Sequence, residues 1–107
     1  MTESEYIQVT DALFHKLEHD LEAADLDYEL AAGGILEIEF DNGSKIIINR
    51  QTPMREIWVA AKSGGFHYRW QDGAWHDTRG GGELYDTLST MASSQAGRTV
   101  ALNGEPS

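Results

Sequence analysis

Apolar residues recur every three or four positions over residues 4–24, a spacing typical of an amphipathic helix. Ser4 is placed to cap this helix, and Glu5 puts a negative charge in its first turn. Asp20 does not fit the pattern, because it is a charged residue that projects toward the apolar side, and we expect it to lie near a fraying helix end. The apolar stripe consists of Tyr6, Val9, Leu13, Leu17, Leu21 and Ala24, and the opposite side carries Asp11, His15, Glu18, Glu22 and Asp25.

From residue 26 onward, apolar and polar residues alternate with a period of two, which predicts β-strands. Glycine-rich or polar turn signals interrupt this alternation five times before residue 80. The predicted strands are residues 26–30, 36–40, 45–51, 55–62 and 66–71, with a short sixth strand at 74–77.

Three glycines at residues 80–82 separate the strands from a second predicted helix at residues 83–95. Leu84, Leu88 and Met91 give this helix an apolar stripe, and Gly97 follows as a stop signal. Residues 100–102 are expected to add a short extended segment. We therefore expect one domain over residues 1–102 and a loose tail at residues 103–107.

Two amphipathic helices around a set of strands predict an α+β fold. We expect a two-layer α-β sandwich, in which both helices pack on one face of a five- to six-stranded antiparallel sheet. The other face stays in water and carries Asp27, Glu29, Glu37, Glu39, Asn49, Gln51, Glu56, Trp58 and His67.

Trp58 is the anomaly on this polar face. A register slip of one residue would move it into the core, and the residues alone leave both positions open. The flanking Ile57 and Val59 favour the outward position. An exposed tryptophan among polar residues is typical of a protein-binding hot spot.

Negative charge is concentrated at one end of the chain. Residues 1–41 hold twelve carboxylates and one lysine, a net charge of −11, whereas residues 42–107 hold six acids and seven bases, a net charge of +1. Such a surface repels nucleic acid and anionic membranes and attracts metal ions or a basic protein. An acidic helix face is also commonly just a solvated surface, and the pattern alone does not separate these alternatives.

The chain contains no cysteine, so disulfides and thiolate-bound metals are excluded. Any metal must therefore bind to oxygen or imidazole. Hard oxygen donors suit ferric iron, manganese, calcium and magnesium, and a nearby imidazole shifts the preference toward ferrous iron. The first residues lack a signal-peptide pattern and no stretch reaches transmembrane length, so we expect a soluble cytoplasmic protein.

Three other features of the sequence do not predict an enzyme. Residues 15–19 (HKLEH) fit the H-x-x-E-H pattern of inverted zinc proteases, but a third ligand and an enclosing cleft are not evident. No serine is spaced for activation by a base. The arginines have no phosphate-binding context and are expected to be ordinary loop and surface residues, namely Arg50, Arg55, Arg69 and Arg79.

Residues 42–53 (NGSKIIINRQTP), followed by Ile57 and Trp58, closely resemble the third and fourth strands of the frataxin family, in particular its bacterial CyaY type. The resemblance covers nearly the whole chain except the tail. Further matching segments are Ser4-Glu5-Tyr6, Gly33-Gly34, residues 62–68 and residues 95–97.

The resemblance implies the same two-layer sandwich and a non-enzymatic regulator of iron–sulfur cluster assembly. It implies weak binding of iron (Fe2+ and Fe3+), together with a cysteine desulfurase and an iron–sulfur scaffold protein as partners. It implies a monomer, with iron-dependent oligomers as a further possibility. By position, the family's acidic ridge falls on Asp11, Glu18, His19, Glu22, Asp25, Asp27 and Glu29, and its partner-binding surface on Glu18, Glu22, Asn49, Gln51, Trp58 and His67.

Two alternatives stay open. The ridge is either an iron site or a metal-independent acidic docking module for a basic partner such as the desulfurase. A ferroxidase would need paired iron sites of defined geometry, which an exposed ridge rarely supplies.

Overall fold

The computed structural model describes residues 1–103, which form two helices and six strands. Neighbouring strands pair antiparallel in chain order, from β1 at one edge to β6 at the other. The predicted α+β sandwich is confirmed. Residues 104–107 of the predicted tail lie outside the described part of the chain. The elements are α1 (Glu3–Ala23), β1 (Asp27–Ala31), β2 (Ile35–Glu39), β3 (Lys45–Gln51), β4 (Glu56–Ala61), β5 (Gly64–Gln71), β6 (Ala74–Asp77) and α2 (Leu84–Ala96).

The alternating side chains divide the sheet into a buried face and an open face. Residues of the buried face pack with the apolar stripes of α1 and α2 in one core. This core buries most of the apolar alternation read from the sequence. Its largest fully buried side chains include Trp75, Tyr6, Tyr68, Leu17, Leu21, Leu36, Ile38, Ile46, Ile48, Ile57, Leu84 and Leu88.

Helix α1 starts from Thr2, so the prediction of Ser4 as its cap was wrong. The backbone N–H of Glu5 donates to the Thr2 hydroxyl at 3.1 Å, and the Thr2 N–H donates to the Glu5 carboxylate at 3.1 Å. This reciprocal pair is a capping box. Asp20 is buried within the helix, which continues to Ala23, so the fraying expected at Asp20 is not observed.

The segment after α2, for which extended residues were predicted at 100–102, adds no strand to the sheet. Val100 and Leu102 are buried instead. The Ser89 hydroxyl donates to the Leu102 carbonyl at 2.9 Å and accepts from its N–H at 2.8 Å. Ser93 makes the same two contacts with Val100, so hydroxyl groups of α2, rather than a neighbouring strand, hold this segment.

The two edges of the sheet differ. An isolated bridge between His76 and Glu83 lies beside β6 and covers that edge. At the opposite edge, no further strand pairs with β1 among residues 1–103. Neither helix in this part of the chain is long and apolar enough to span a lipid bilayer.

Candidate functional site

The residues of the predicted acidic ridge lie on two sides of the edge strand β1. Asp11, Glu18 and Glu22 belong to α1, which packs beside β1. Asp27 and Glu29 belong to the open face of the sheet, because they pair in register with Glu39 and Glu37 of β2. The remaining members are His19, near the end of α1, and Asp25, in the connection to β1 with a φ of +57°.

On the helix side, Tyr28 of β1 joins the strand to the acidic face of α1. Its hydroxyl donates a hydrogen bond to the Glu22 carboxylate. That hydrogen bond, partial burial and the negative charges of Glu18 and Glu22 raise the pKa of Tyr28 to about 12. The charges of Glu18 and Glu22 thus both favour the protonated form of the Tyr28 hydroxyl.

Asp11 of the ridge already has a cationic partner. The Arg50 guanidinium donates to its carboxylate at 2.6 Å, and the same guanidinium lies 5.3 Å from the centre of the Phe14 ring. The Arg50 side chain is only 14% exposed, so the prediction that it is an ordinary surface residue was wrong. The Arg50 side chain lies against Gly34. Any larger residue at position 34 would place its Cβ 2.9 Å from the Arg50 Cβ, which is too close without a shift.

On the open face, two pairs of carboxylates meet across β1 and β2. Glu29 lies opposite Glu37, and Asp27 lies opposite Glu39. Like charges in such cross-strand pairs are destabilising unless a cation intervenes. Lys45 of β3 supplies one, with its ammonium 2.6 Å from Glu37 and 3.9 Å from Glu39. Sequence reasoning missed this lysine, although its position beside the second strand was a usable signal.

The ridge does not form a chelating centre. Among residues 1–103, no three His, Asp or Glu side chains are grouped closely enough to hold a metal ion. The H-x-x-E-H pattern at residues 15–19 therefore gains no third ligand there. The carboxylates fit a hydrated cation that is held by one or two side chains and keeps most of its water.

Four of the six predicted partner-binding residues form a patch on the open face, whereas the other two, Glu18 and Glu22, lie on α1. Asn49, Trp58 and His67 lie side by side on three neighbouring strands, and Gln51 lies in the next row. The Trp58 and His67 rings are stacked, with centroids 4.2 Å apart and planes 8° from parallel. Ile57 and Val59 are buried while Trp58 stays partly exposed, which confirms its outward position.

Glu56, in contrast, was predicted to be exposed to water, and this prediction was wrong. It lies on the open face, but its side chain is only 4% exposed. Its carboxylate accepts from the Trp58 indole N–H at 2.9 Å and from the Arg69 guanidinium at 2.6 Å. Burial by itself would raise the pKa of Glu56, but these hydrogen bonds and the charges of Arg69 and His67 lower it below its ordinary value.

The comparisons with known proteins agree with this architecture. The model of the frataxin-like domain matches residues 1–98. The chain therefore belongs to the frataxin-like family.

Two relatives are similar over nearly their full lengths. The iron-sulfur cluster assembly protein CyaY of Dechloromonas aromatica (strain RCB) is 51% identical, with 95% of this chain and 99% of the relative covered. The protein of the same name from Paraburkholderia phymatum is 50% identical, with 95% and 98% covered. The similarity thus extends over both helices and all six strands.

Solved structures show the same fold. Frataxin from Psychromonas ingrahamii has a TM-score of 0.88 and 38% identity, covering 96% of this chain and 99% of that one. Trimeric yeast frataxin (Saccharomyces cerevisiae), complexed with ferrous ion, has a TM-score of 0.67 and 28% identity, covering 92% and 88%.

Proposed function

We propose that this protein takes part in iron–sulfur cluster assembly and regulates it by binding a complex of cysteine desulfurase and scaffold protein. The observation that carries the proposal is the division of the surface into an acidic region around β1 and a neighbouring aromatic patch at Trp58. The first suits cations or a basic protein, and the second suits a protein contact. The names of the two relatives support the same process.

Iron is a weakly held ligand in this proposal, not a resident cofactor. The donors are dispersed over an exposed surface, and a hydrated ion on one or two carboxylates should have a dissociation constant in the micromolar range or weaker. The yeast frataxin complexed with ferrous ion supports this ligand. The proposed iron-binding residues are Asp11, Glu18, His19, Glu22, Asp25, Asp27 and Glu29.

The partner contact uses both regions. Glu18 and Glu22 are placed to steer a basic surface of the desulfurase over a long range. Asn49, Gln51, Trp58 and His67 are placed to make the short-range contact. Because iron and the partner share Glu18 and Glu22, iron occupancy changes the charge that the partner meets, and this change is the proposed regulatory signal.

A titration with ferrous iron under anaerobic conditions tests the ligand. We expect amide signals of residues 11–29 to change first and those of α2 to stay unchanged. Glu18→Gln with Glu22→Gln should weaken this response, whereas Asp72→Asn with Asp86→Asn should not, although it removes the same charge. Absent or uniform changes along the chain would contradict an iron site on the ridge.

Charge reversal separates this proposal from the metal-independent docking module. In the docking module, Glu18→Lys with Glu22→Lys abolishes desulfurase binding equally with and without iron. In our proposal, iron weakens binding of the wild-type protein, and the double variant loses that dependence. Asp72→Lys with Asp86→Lys serves as the matched control, since its charge change is equal but away from the ridge.

No catalytic role is included in this proposal. A ferroxidase needs paired iron sites, and no group of three or more metal-binding side chains lies within residues 1–103. We expect ferrous iron to consume oxygen no faster with the protein than without it. Faster consumption that depends on Glu18 and Glu22 would favour an enzyme. We further propose a cytoplasmic monomer without nucleic-acid or membrane partners.

A further inference from the structure

Glu56 is a buried carboxylate on the face of the sheet that neither α1 nor α2 covers. Its side chain is 4% exposed, although its neighbours His67 and Arg69 are 45% and 60% exposed. Burying a carboxylate is unfavourable unless charged and hydrogen-bonding partners compensate it. The cover over Glu56 therefore comes from the side chains of the open face itself.

The contacts of Glu56 fix the orientation of Trp58. One carboxylate oxygen, Oε1, accepts from the Trp58 Nε1–H at 2.9 Å, and the other, Oε2, accepts from Arg69 at 2.6 Å. The His67 ring covers the indole at a centroid distance of 4.2 Å. The edge of the indole is thus held by Glu56 and one face by His67.

A tryptophan held in this way has little freedom to lose when a partner binds. Ordering a mobile side chain at an interface costs free energy, and preorganisation removes that cost. Unlike an ordinary exposed tryptophan, Trp58 has its ring plane set before contact. The remaining exposed ring surface is then ready for a protein partner.

We infer that Glu56 is a positioning residue for partner recognition: held by Arg69, it keeps Trp58 in its binding orientation. Glu56 acts through Trp58 and does not itself touch the partner, because its side chain is covered. The inference rests on the proposed function, since it assumes that Trp58 makes the contact. It gives a role to Glu56 and Arg69, which were named from the sequence without being assigned to the partner-binding surface.

A double-mutant cycle tests this role through the dissociation constant of the desulfurase–scaffold complex, measured by titration calorimetry. Glu56→Leu should weaken binding by about tenfold, because it removes the acceptor of the indole N–H. Trp58→Phe keeps an aromatic ring but cannot donate that hydrogen bond. Glu56→Leu should therefore have no further effect in the Trp58→Phe background. An equal loss in both backgrounds would overturn the inference.

The conservative variant supplies a second criterion. Glu56→Gln keeps a carbonyl oxygen for the indole N–H and should weaken binding by only about twofold. Glu37→Gln is the matched control, because it removes the same charge from the same face without touching Trp58. A loss with Glu37→Gln as large as with Glu56→Leu would show that charge alone matters, and would overturn the inference.

The indole N–H signal of Trp58 reports its position directly in the free protein. Glu56→Leu should shift this signal and speed its exchange with solvent, while the signals of Trp70 and Trp75 stay unchanged.

If Glu56→Leu does not fold, Arg69→Met takes its place, since it releases one side of the carboxylate. We then expect a shifted Trp58 signal and about threefold weaker binding. An unchanged signal with unchanged affinity would overturn the inference.

Trp58→Ala distinguishes a failure of the proposed contact at Trp58 from a failure of the positioning role of Glu56. If Trp58→Ala binds the complex as well as the wild type, the proposed contact at Trp58 fails. If Trp58→Ala loses binding but Glu56→Leu, well folded, does not, the contact stands and the positioning role of Glu56 fails.

Discussion

Single residues set the local charge of the ridge. Asp11 counts as an acid in the sequence, but Arg50 already neutralises it at 2.6 Å. A cation at Asp11 has to displace or share that guanidinium. The effective charge of the ridge is therefore lower at Asp11 than near Glu18 and Glu22.

Replacing Arg50 should strengthen cation binding near Asp11. Arg50→Met frees the carboxylate, and because a partly exposed ion pair contributes about 0.5 kcal/mol, we expect roughly twofold tighter binding. Line broadening of the Asp11 amide during a Mn2+ titration measures the change. Arg79→Met is the control, since it removes an equal charge elsewhere. Equal effects of both variants would mean that the Asp11–Arg50 contact does not limit binding.

Glu56 should make stability depend on pH. Its pKa is lowered in the folded state, so its stabilising contribution is complete above its unfolded pKa of about 4.3 and is lost as the pH falls through the folded pKa. We expect Glu56→Gln to lower the free energy of unfolding by roughly 1–3 kcal/mol at neutral pH, and this difference should shrink in acid.

Urea unfolding of both proteins between about pH 7 and about pH 3 measures this dependence. Glu39→Gln is a control on the same face, with its native carboxylate 3.9 Å from Lys45, and should change stability little. A difference between wild type and Glu56→Gln that grows as the pH falls would contradict the assigned sign.

The burial of Glu56 could not be predicted from the sequence. Alternation correctly assigns it to the open face, since its neighbour Ile57 is buried. Whether a residue on that face is covered depends on long side chains from the next strand, here Arg69 and His67. That information lies in the strand register, which local patterns do not give.

At the scale of elements, the strands were predicted to within one or two residues because glycine-rich or polar turns interrupt a regular alternation. The capping residue of α1 was missed, even though the sequence contains its signal. Thr2 and Glu5 have the S/T-x-x-E spacing of a capping box, whereas Ser4 is followed three residues later by Ile7. The ridge was predicted as one surface, whereas its residues lie on both sides of β1. This division depends on the strand register, which the local pattern does not give.

The corrected cap can be tested by two substitutions. Thr2→Ala removes the acceptor for the Glu5 N–H and should lower the free energy of unfolding by about 1 kcal/mol. Ser4→Ala should change it by less than about 0.5 kcal/mol, because Ser4 lies inside the first turn. Thermal or urea unfolding of both variants measures these values. A larger loss for Ser4→Ala would restore the original assignment.

At the scale of the whole molecule, the charge is distributed unevenly. Ten of the twelve carboxylates of residues 1–41 lie on α1 and the first two strands, and the other two, Asp25 and Asp41, lie in the connections beside them. The remainder of the chain is nearly neutral. This arrangement produces mutual repulsion within one region of the folded protein, and dissolved ions reduce it.

Salt should therefore stabilise the protein. We expect the thermal unfolding midpoint to rise between about 10 mM and about 200 mM potassium chloride, because screening weakens repulsion among the carboxylates. A variant with glutamine in place of Glu18, Glu22 and Glu29 should respond less. Differential scanning calorimetry measures both midpoints, and an identical salt response would contradict repulsion as the cause.

The open edge of the sheet at β1 has a consequence for how copies of the protein meet. Backbone N–H and C=O groups at an unpaired edge can template the addition of a foreign strand. Asp27 and Glu29 place negative charge beside that edge, so two approaching molecules repel each other there. Any cation or proton that neutralises these side chains also removes the electrostatic barrier to a seventh strand donated by another molecule.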